Sequence, residues 1–425
     1  MGTMSDMHRK SWFGLAALSS LWLAWNAQWL TIVPTVIPQS VKELVGDHHA
    51  ALWSGLTVGA GALVALLVTP VAGALSDRSR NPRGRRRPFL ISGVLVSCVG
   101  LVALGWAVTA NLAALAAVFV LLQFWWNWGA GPFAGLIPDT VVPDQRDQAS
   151  AWLNVLGIVG AIIGAAAMFT FQPGHPWLAV TVWIALSLVC LATTLRWVPE
   201  PTPGPVPRWP GLTGFARSFL LPLAENRNFY WVLVTRLLNN MGAWSVFTFL
   251  VLYLQFVVGL SPDGATRLMA VLLGVGAVLA IGASVAATAM IRRVGVVRVV
   301  QVASWVMASS AAGYACVAFT PRLWLVVALV VVFGLGNGAL GAADWALALA
   351  VLPDGLDAGK DMGIWHICLV LPQIAGPITT GVVITIAGSM ASEHFAYGLA
   401  FAIAAAWFIA GSIYVNKIRL TPAAA

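Results

Sequence analysis

Runs of apolar residues long enough to cross a lipid bilayer recur along the whole chain, and no other feature constrains its fold as strongly. A helix of about 20 apolar residues crosses a bilayer, because the backbone there must satisfy its own hydrogen bonds. A β-barrel would show short segments of alternating hydrophobicity instead. We therefore predict an all-α membrane protein with twelve transmembrane helices, placed at residues 12–38, 51–75, 89–109, 111–137, 149–171, 176–197, 229–258, 266–291, 296–319, 322–351, 362–388 and 394–416.

The composition excludes a soluble protein of the same length. Only 9% of the 425 residues are charged and 60% are hydrophobic, whereas about a quarter of the residues in a soluble domain are charged. The four cysteines lie inside apolar runs, and no CxxC or His/Cys cluster occurs, so we expect no disulfide framework, metal or other cofactor. The net charge of +8 resides in short loops between the apolar runs, so we expect no nucleic-acid partner.

The distribution of basic residues predicts the topology. If the N-terminus is cytoplasmic, cytoplasmic segments hold 19 of the 23 lysines and arginines, outside loops hold three, and Arg236 lies within a span. This bias is the positive-inside pattern, so we expect both termini in the cytoplasm. The excess of arginine over lysine indicates a GC-rich genome, and we expect a bacterial inner membrane protein.

One long linker divides the predicted helices into two groups of six. Residues 198–228 contain six prolines between positions 199 and 210, a composition that makes a stiff, extended connection. We therefore expect an N-terminal six-helix bundle at residues 1–197, a cytoplasmic linker at 198–228 and a C-terminal six-helix bundle at 229–425.

The two halves also resemble each other in sequence. The pair Pro138-Asp139 recurs as Pro353-Asp354, and Trp152 recurs as Trp365, at offsets of 213–215 residues. Weak internal repeats of this kind are typical of transporters built from two related halves. The repeat favours two pseudo-symmetric bundles.

The loop between spans 2 and 3 resembles the Gly-x-Leu-x-Asp-Arg…Gly-Arg-Arg loop of the major facilitator superfamily. Its form at residues 73–89, together with residues 24–34 and 131–146, is similar to the branch of plant-type sucrose transporters and glycoside–cation symporters. This resemblance implies a secondary transporter that works by alternating access. One departure is Ala134, which stands where the sucrose-type transporters have an arginine.

The same loop carries candidate gating residues. Gly73 lets a neighbouring helix approach closely, and Asp77 can face the positive N-terminal end of another helix or pair with a basic residue. The resemblance implies that Asp77 and Arg78 latch the two halves on the cytoplasmic side. Alternatively, the arginines only set topology and contact anionic lipid. The gating residues that we expect are Gly73, Asp77, Arg78, Gly84 and Arg85.

Amide side chains mark the candidate solute site. The resemblance implies that helices 1, 4, 7 and 10 line a cavity, and each carries an asparagine near its centre. Amides offer donors and acceptors together, which suits hydroxyl-rich solutes, although interhelical hydrogen bonds and tryptophan packing would explain the same residues. Helix phase alone does not choose between Trp125 and Trp126. The candidate solute-binding residues are Trp25, Asn26, Gln28, Trp29, Gln123, Trp126, Asn127, Asn240, Trp244 and Asn337.

Ionisable residues inside the spans are scarce. Arg236 and Asp344 each lie about 12 Å from the cytoplasmic end of their helices at 1.5 Å per residue, and His366 lies slightly shallower. Equal depth makes an Arg236–Asp344 pair plausible. Two interpretations stay open, a proton-coupling site formed by Arg236, Asp344 and His366 or a permanent ion pair that fixes helix packing.

Taken together, these features favour a monomeric, proton-coupled importer of a sugar or glycoside, with a small solute, protons and lipid as its partners. An exporter of drugs or secondary metabolites by proton antiport on the same fold is the alternative. An enzyme is not expected, because no nucleophile–base pair, metal set or nucleotide-binding loop occurs.

Overall fold

The computed structural model describes residues 9–168, 176–200, 211–217, 226–352 and 358–420. Within these ranges the chain is helical and contains no β-strand. Short 3₁₀ turns occupy Pro143–Gln145 and Val415–Lys417. The helices are α1 (Trp12–Thr31), α2 (Ile37–Val45), α3 (Asp47–Asp77), α4 (Arg87–Ala107), α5 (Leu112–Thr140), α6 (Arg146–Met168), α7 (Trp177–Trp197), α8 (Gly211–Arg217), α9 (Arg227–Phe256), α10 (Pro262–Val294), α11 (Val296–Val317), α12 (Leu323–Ala350), α13 (Ala358–Met390) and α14 (Glu393–Tyr414).

The prediction of an all-α membrane protein is confirmed. Ten helices among the described residues are long and apolar enough to cross a membrane. The two remaining predicted spans correspond to α1 and α6, of 20 and 23 residues.

The helix ends follow local sequence signals. The side chains of Ser11, Asn111, Ser261 and Ser392 cap α1, α5, α10 and α14, each accepting a hydrogen bond from a backbone N–H three residues later. Such caps satisfy donors that the first helical turn leaves unpaired. The first span differs from its expected bounds, because a π-helical stretch, Ile32–Val36, joins α1 to α2.

The chain forms two compact units. Unit 1 comprises Met1–Leu221 and Leu352–Ile367, and unit 2 comprises Pro222–Val351 and Cys368–Ala425. The first ten residues of α13 therefore belong to unit 1 and the rest of that helix to unit 2. The two six-helix bundles stay a prediction, and residues 201–210 of the expected linker and the Pro353-Asp354 repeat lie outside the described residues.

Glycines let the helices of unit 1 approach closely. In α6, a Cβ added at Gly160 would overlap the backbone carbonyl oxygen of Leu23 in α1, and one at Gly164 would be 3.2 Å from the Cα of Ala27. Helices in lipid gain no hydrophobic driving force when they associate, so they depend on van der Waals packing. Small residues at a crossing allow that packing because they let the two backbones approach closely. The close contact fixes how α1 sits on α6.

An aromatic core organises unit 2. Tyr253, Tyr314 and Phe401 are buried together, and the Tyr253 hydroxyl donates a 2.8 Å hydrogen bond to the carbonyl of Tyr314. Tyr253 and Phe401 lie 5.1 Å apart between ring centroids. These contacts join α9, α11 and α14, because each helix contributes one ring.

The glycine contact in unit 1 predicts a stability difference between two chemically identical substitutions. Gly160→Ala inserts a methyl group against the Leu23 carbonyl, so we expect a loss of about 1–3 kcal/mol of stability. Gly274→Ala in α10 is the matched control, since no atom lies within 4 Å of its added Cβ. Thermal unfolding of the detergent-purified variants checks this, and an unfolding temperature of Gly160→Ala equal to that of Gly274→Ala would contradict it.

Candidate functional site

Two predicted amides of unit 1 form one hydrogen-bonded network. Asn127 Nδ2 donates to the carbonyl oxygen of Gln123 at 2.7 Å and to its Oε1 at 3.2 Å. Asn127 Oδ1 accepts from Thr69 Oγ1 at 2.9 Å. The network joins α3 to α5, and it leaves Gln123 Nε2 without a hydrogen-bond partner among the described residues. Gln123 is therefore the amide of this network with donor capacity left, and its contact with a solute stays a prediction.

The amides of α1 point in different directions. Asn26 is half-buried on the α6 side, where its Cβ would lie 3.1 Å from a Cβ at Gly160. Gln28 is 1% exposed and donates from Nε2 to Ser187 Oγ and to the carbonyl of Trp183, both in α7. Residues two apart lie about 200° apart on a helix at 3.6 residues per turn. Gln28 thus sits in helix packing and is not brought together with Asn26.

The tryptophans near these amides lie in different surroundings. Trp126 is buried in an apolar core with Phe119 and Leu122, and its indole N–H has no hydrogen-bond partner among the described residues. Trp25 and Trp29 are half-buried in α1. The placement of Trp126 favours packing, while Trp25 keeps part of its ring uncovered.

An aromatic layer, which we define as Trp22, Trp25, Phe133 and His366, crosses the interior of unit 1. The fully buried Phe133 ring lies parallel to Trp22 within 4° at 6.3 Å and meets Trp25 at 87° and 5.3 Å. His366 meets Trp22 at 5.9 Å and 82°. Sequence reasoning missed Trp22 and Phe133, although Trp22 lies one helical turn before Asn26.

In unit 2 the side chains of Arg236 and Asp344 form an ion pair between Nη1 and Oδ2. Only 5% of the arginine side chain and 15% of the aspartate side chain are exposed. Two buried charges pair because the cost of removing each from water is otherwise uncompensated. The pair that the sequence suggested is present, whereas its titration stays a prediction. His366 belongs to unit 1, not to this unit.

The other predicted residues of unit 2 lie on α9 and α12, the two helices that carry this pair. Asn240 Nδ2 donates to the carbonyl of Arg236 at 2.9 Å. Asn337 is exposed and lies seven residues before Asp344 on α12, so the two share a helix face. The half-buried Trp244 packs beside Gly376 of α13. Their part in solute binding stays a prediction.

Asp77 holds the N-terminal end of α13. Its carboxylate accepts hydrogen bonds from the backbone N–H groups of Gly359 at 3.0 Å and Lys360 at 2.9 Å. The Nη2 of Arg86 donates to the same carboxylate at 3.0 Å. The first N–H groups of a helix are unpaired and carry partial positive charge, so a carboxylate is favoured there.

Arg85 and Arg86 both bind Asp139, at the end of α5. Arg86 Nε and Arg85 Nη2 each lie 2.6 Å from a carboxylate oxygen of Asp139. The backbone N–H of Arg86 donates to Glu200 Oε2 at 2.9 Å. We call Asp77, Arg85, Arg86, Asp139 and Glu200 the charge cluster. It ties together the ends of α3, α4, α5 and α7.

Burial and neighbouring charge shift the pKa values of Arg86 and Glu200, two members of the charge cluster that lie outside the candidate spans. Burial disfavours the charged form of Arg86, but Asp139 and Asp77 outweigh it and raise the pKa of this guanidinium. Burial also raises the pKa of the Glu200 carboxyl, an effect that Arg86 opposes. Arg86 therefore stays charged, while Glu200, which follows α7, binds its proton more tightly than usual.

The structure brings the predicted gating residues together and adds others. A Cβ at Gly73 would overlap the carbonyl of Gly359, and Gly84 has a φ of +123° beside Glu200. Arg78 donates to the carbonyl of Ala74 at 2.9 Å. Sequence reasoning did not count Arg86, Asp139 or Glu200 among the gating residues, although Asp139 ends a span on the side of this loop.

Two arginines of the loop, Arg80 and Arg83, remain candidates for contact with lipid headgroups. Arg87 donates to the carbonyl of Leu195 at 3.1 Å, so it joins Arg85 and Arg86 in binding protein acceptors. Arg80 and Arg83 are exposed, and headgroup contact stays a prediction for these two.

Among the described residues, no group of three or more His, Cys, Asp or Glu side chains could hold a metal ion.

The charge cluster predicts a large stability loss when one partner is removed. Asp139→Asn leaves Arg85 and Arg86 without their shared carboxylate, so we expect a loss of about 3–5 kcal/mol. Arg9→Gln is the control, because the Arg9–Asp144 pair has side chains 76% and 55% exposed and should contribute about 1 kcal/mol or less. Thermal unfolding in detergent compares the two, and equal losses would contradict the expected role of the cluster.

Glu200 predicts a change in pH dependence. An acid whose pKa is higher in the folded state contributes most to stability at low pH, and this contribution falls as pH rises above its unfolded value of about 4.3. We therefore expect the wild type to lose stability relative to Glu200→Gln between about pH 4 and pH 7. Unfolding temperatures across this range measure the difference. A gain of the wild type over the variant with rising pH would contradict it.

The chain is similar to known membrane proteins in both sequence and fold. A sequence model of the Major Facilitator Superfamily matches residues 15–358, which is most of the chain. The structure of the proton:xylose symporter XylE bound to 6-bromo-6-deoxy-D-glucose is similar in fold, with a TM-score of 0.72 at 13% identity over 96% of each chain.

Two curated relatives carry closer sequence similarity over a shorter stretch. The general alpha-glucoside permease of Schizosaccharomyces pombe is 28% identical over 163 residues, which are 34% of this chain and 29% of the permease. The sucrose transport protein SUT4 of Oryza sativa subsp. indica is 26% identical over 203 residues, 38% of this chain and 32% of that protein. The match thus spans about a third of these relatives, and it confirms the resemblance drawn from residues 73–89.

Proposed function

Because this chain belongs to the major facilitator superfamily, we propose that it imports a sugar or glycoside by proton symport. The family consists of membrane transporters, so the chain is a transporter and not an enzyme. Alternating access would expose the solute site to each side of the membrane in turn. The further proposals are a monomer in a bacterial inner membrane with both termini in the cytoplasm.

The observation that carries the solute class is the set of amide and aromatic side chains in the interior of unit 1. Gln123 Nε2 has no partner among the described residues, and Asn26 and Trp25 are half-buried. Amides and aromatic rings suit neutral hydroxyl-rich molecules, whose hydroxyl groups need both donors and acceptors. The curated relatives are named for alpha-glucosides and sucrose, which supports the same class.

Proton coupling is supported by the ion pair of unit 2. An aspartate that pairs with an arginine in a membrane span can bind a proton and release its partner, whereas an arginine stays charged. Asp344 would alternate between holding Arg236 and carrying a proton. The fold neighbour XylE is described as a proton:xylose symporter, which supports the same coupling.

The gate would lie at the charge cluster, on the cytoplasmic side. Asp77 holds the backbone N–H groups of Gly359 and Lys360 in this structure. We propose that inward opening separates Asp77 from α13 while Arg86 keeps its bond to Asp139. The Asp77 carboxylate would then stay paired with Arg86, so its negative charge would not be buried without a partner.

The test is exchange of labelled sugar across proteoliposomes. We expect the purified protein to exchange sucrose or maltose in counterflow and to accumulate it when an inward proton gradient is imposed. A protonophore should abolish accumulation but not counterflow. An absence of sugar exchange, together with resistance to drugs on expression, would contradict import and support the exporter.

Asp344→Asn separates coupling from binding. The amide cannot carry the proton, so we expect accumulation to fall at least tenfold while counterflow continues. Glu43→Gln removes an exposed carboxylate of α2 and serves as the matched control. Normal proton-driven accumulation by Asp344→Asn would assign Asp344 to a permanent structural pair.

A further inference from the structure

Trp22 lies at the middle of α1 and is enclosed by three other helices. Its ring meets Phe133 of α5 and His366 of α13, and a Cβ added at Gly157 of α6 would lie 2.9 Å from its Nε1. The side chain is nevertheless only half-buried. A ring bounded by three neighbouring helices is turned away from lipid, so its uncovered part faces the interior of the protein.

The orientation of this indole is fixed from two sides. The Phe133 ring is 0% exposed and lies within 4° of parallel to Trp22, so it supports one face of the indole. Gly157 leaves room for the pyrrole edge, because any larger residue would contact Nε1. A preorganised ring binds a ligand with little loss of conformational entropy.

A polar group stands one helical turn away. Asn26 Nδ2 donates to the carbonyl of Trp22 at 2.7 Å, which orients the amide on the same side of α1. Its Oδ1 accepts no hydrogen bond from a described residue. Asn26 therefore offers an acceptor beside a flat aromatic surface.

We propose that Trp22 is the stacking platform for a pyranose ring, with Asn26 Oδ1 accepting a hydrogen bond from one of its hydroxyl groups. This inference rests on the proposed sugar transport. A pyranose presents C–H groups on one face of its ring and hydroxyl groups around its rim. An indole attracts such polarised C–H groups through the negative face of its π-system. The site thus selects cyclic sugars over open-chain polyols that carry the same hydroxyl groups.

The first test compares ligands on the unaltered full-length protein. In proteoliposome counterflow with labelled sucrose or maltose, methyl α-glucopyranoside should compete, whereas sorbitol should compete at least tenfold more weakly. Sorbitol carries more hydroxyl groups than the glucopyranoside but has no ring face. Equal competition by the two would overturn the stacking proposal while leaving sugar transport intact.

The second test alters the ring and its support. Trp22→Leu should raise the KM for the sugar roughly three- to tenfold, and Trp22→Phe, which retains a smaller ring, should raise it less. Gly157→Ala displaces the indole without removing it and should also raise KM. Trp305→Leu is the matched control, because Trp305 is 47% exposed on α11 in unit 2.

The outcomes separate this inference from the proposed function. If the wild type exchanges sugar and both Trp22→Leu and Gly157→Ala keep its KM, Trp22 is not the platform. If Trp22→Leu does not fold, the KM of Gly157→Ala and the competition by sorbitol against the wild type still test whether Trp22 is the platform. If the wild type exchanges no sugar, both proposals fail together.

Discussion

The structure depends on one constraint, which is that lipid offers no hydrogen-bond partner to a polar group. Backbone amides therefore pair inside their own helices, and a buried polar side chain is costly unless it finds a partner in the protein. The chain responds with long helices, with amides that bond to neighbouring helices, and with a paired Arg236 and Asp344. Gln123 and Asn26 keep unused hydrogen-bonding capacity among the described residues, and the proposed function assigns that capacity to a solute.

The first two turns of α13 connect two features that are separate in the sequence. Asp77 holds the N–H groups of Gly359 and Lys360, and His366 lies against Trp22. From Gly359 to His366 the helix rises about 10 Å at 1.5 Å per residue. A movement of this helix end would therefore shift both the contact with Asp77 and one wall of the aromatic layer. The geometry gives a short mechanical path between the proposed gate and the proposed solute site.

The sequence predicted the fold because hydrophobic runs report helices in lipid directly. It also singled out Asp77 as a candidate, because the loop pattern places this residue at the end of a span. It did not separate Gln28 from Asn26, because depth along a helix is visible in a sequence whereas the angular position of neighbouring helices is not. Nor did it distinguish Arg86 from the adjacent arginines. Arg86 is the one with a fully buried side chain between Asp77 and Asp139, and only the folded loop decides that.

Sugar-evoked charge movement tests the account most directly. Proteoliposomes adsorbed on a solid-supported membrane report charge that crosses the bilayer when a neutral solute is added. We predict that sucrose or maltose evokes a saturable current corresponding to positive charge moving with the sugar. A protein that binds and exchanges sugar without any current would not be a proton symporter, and the absence of both current and sugar binding would contradict the central claim.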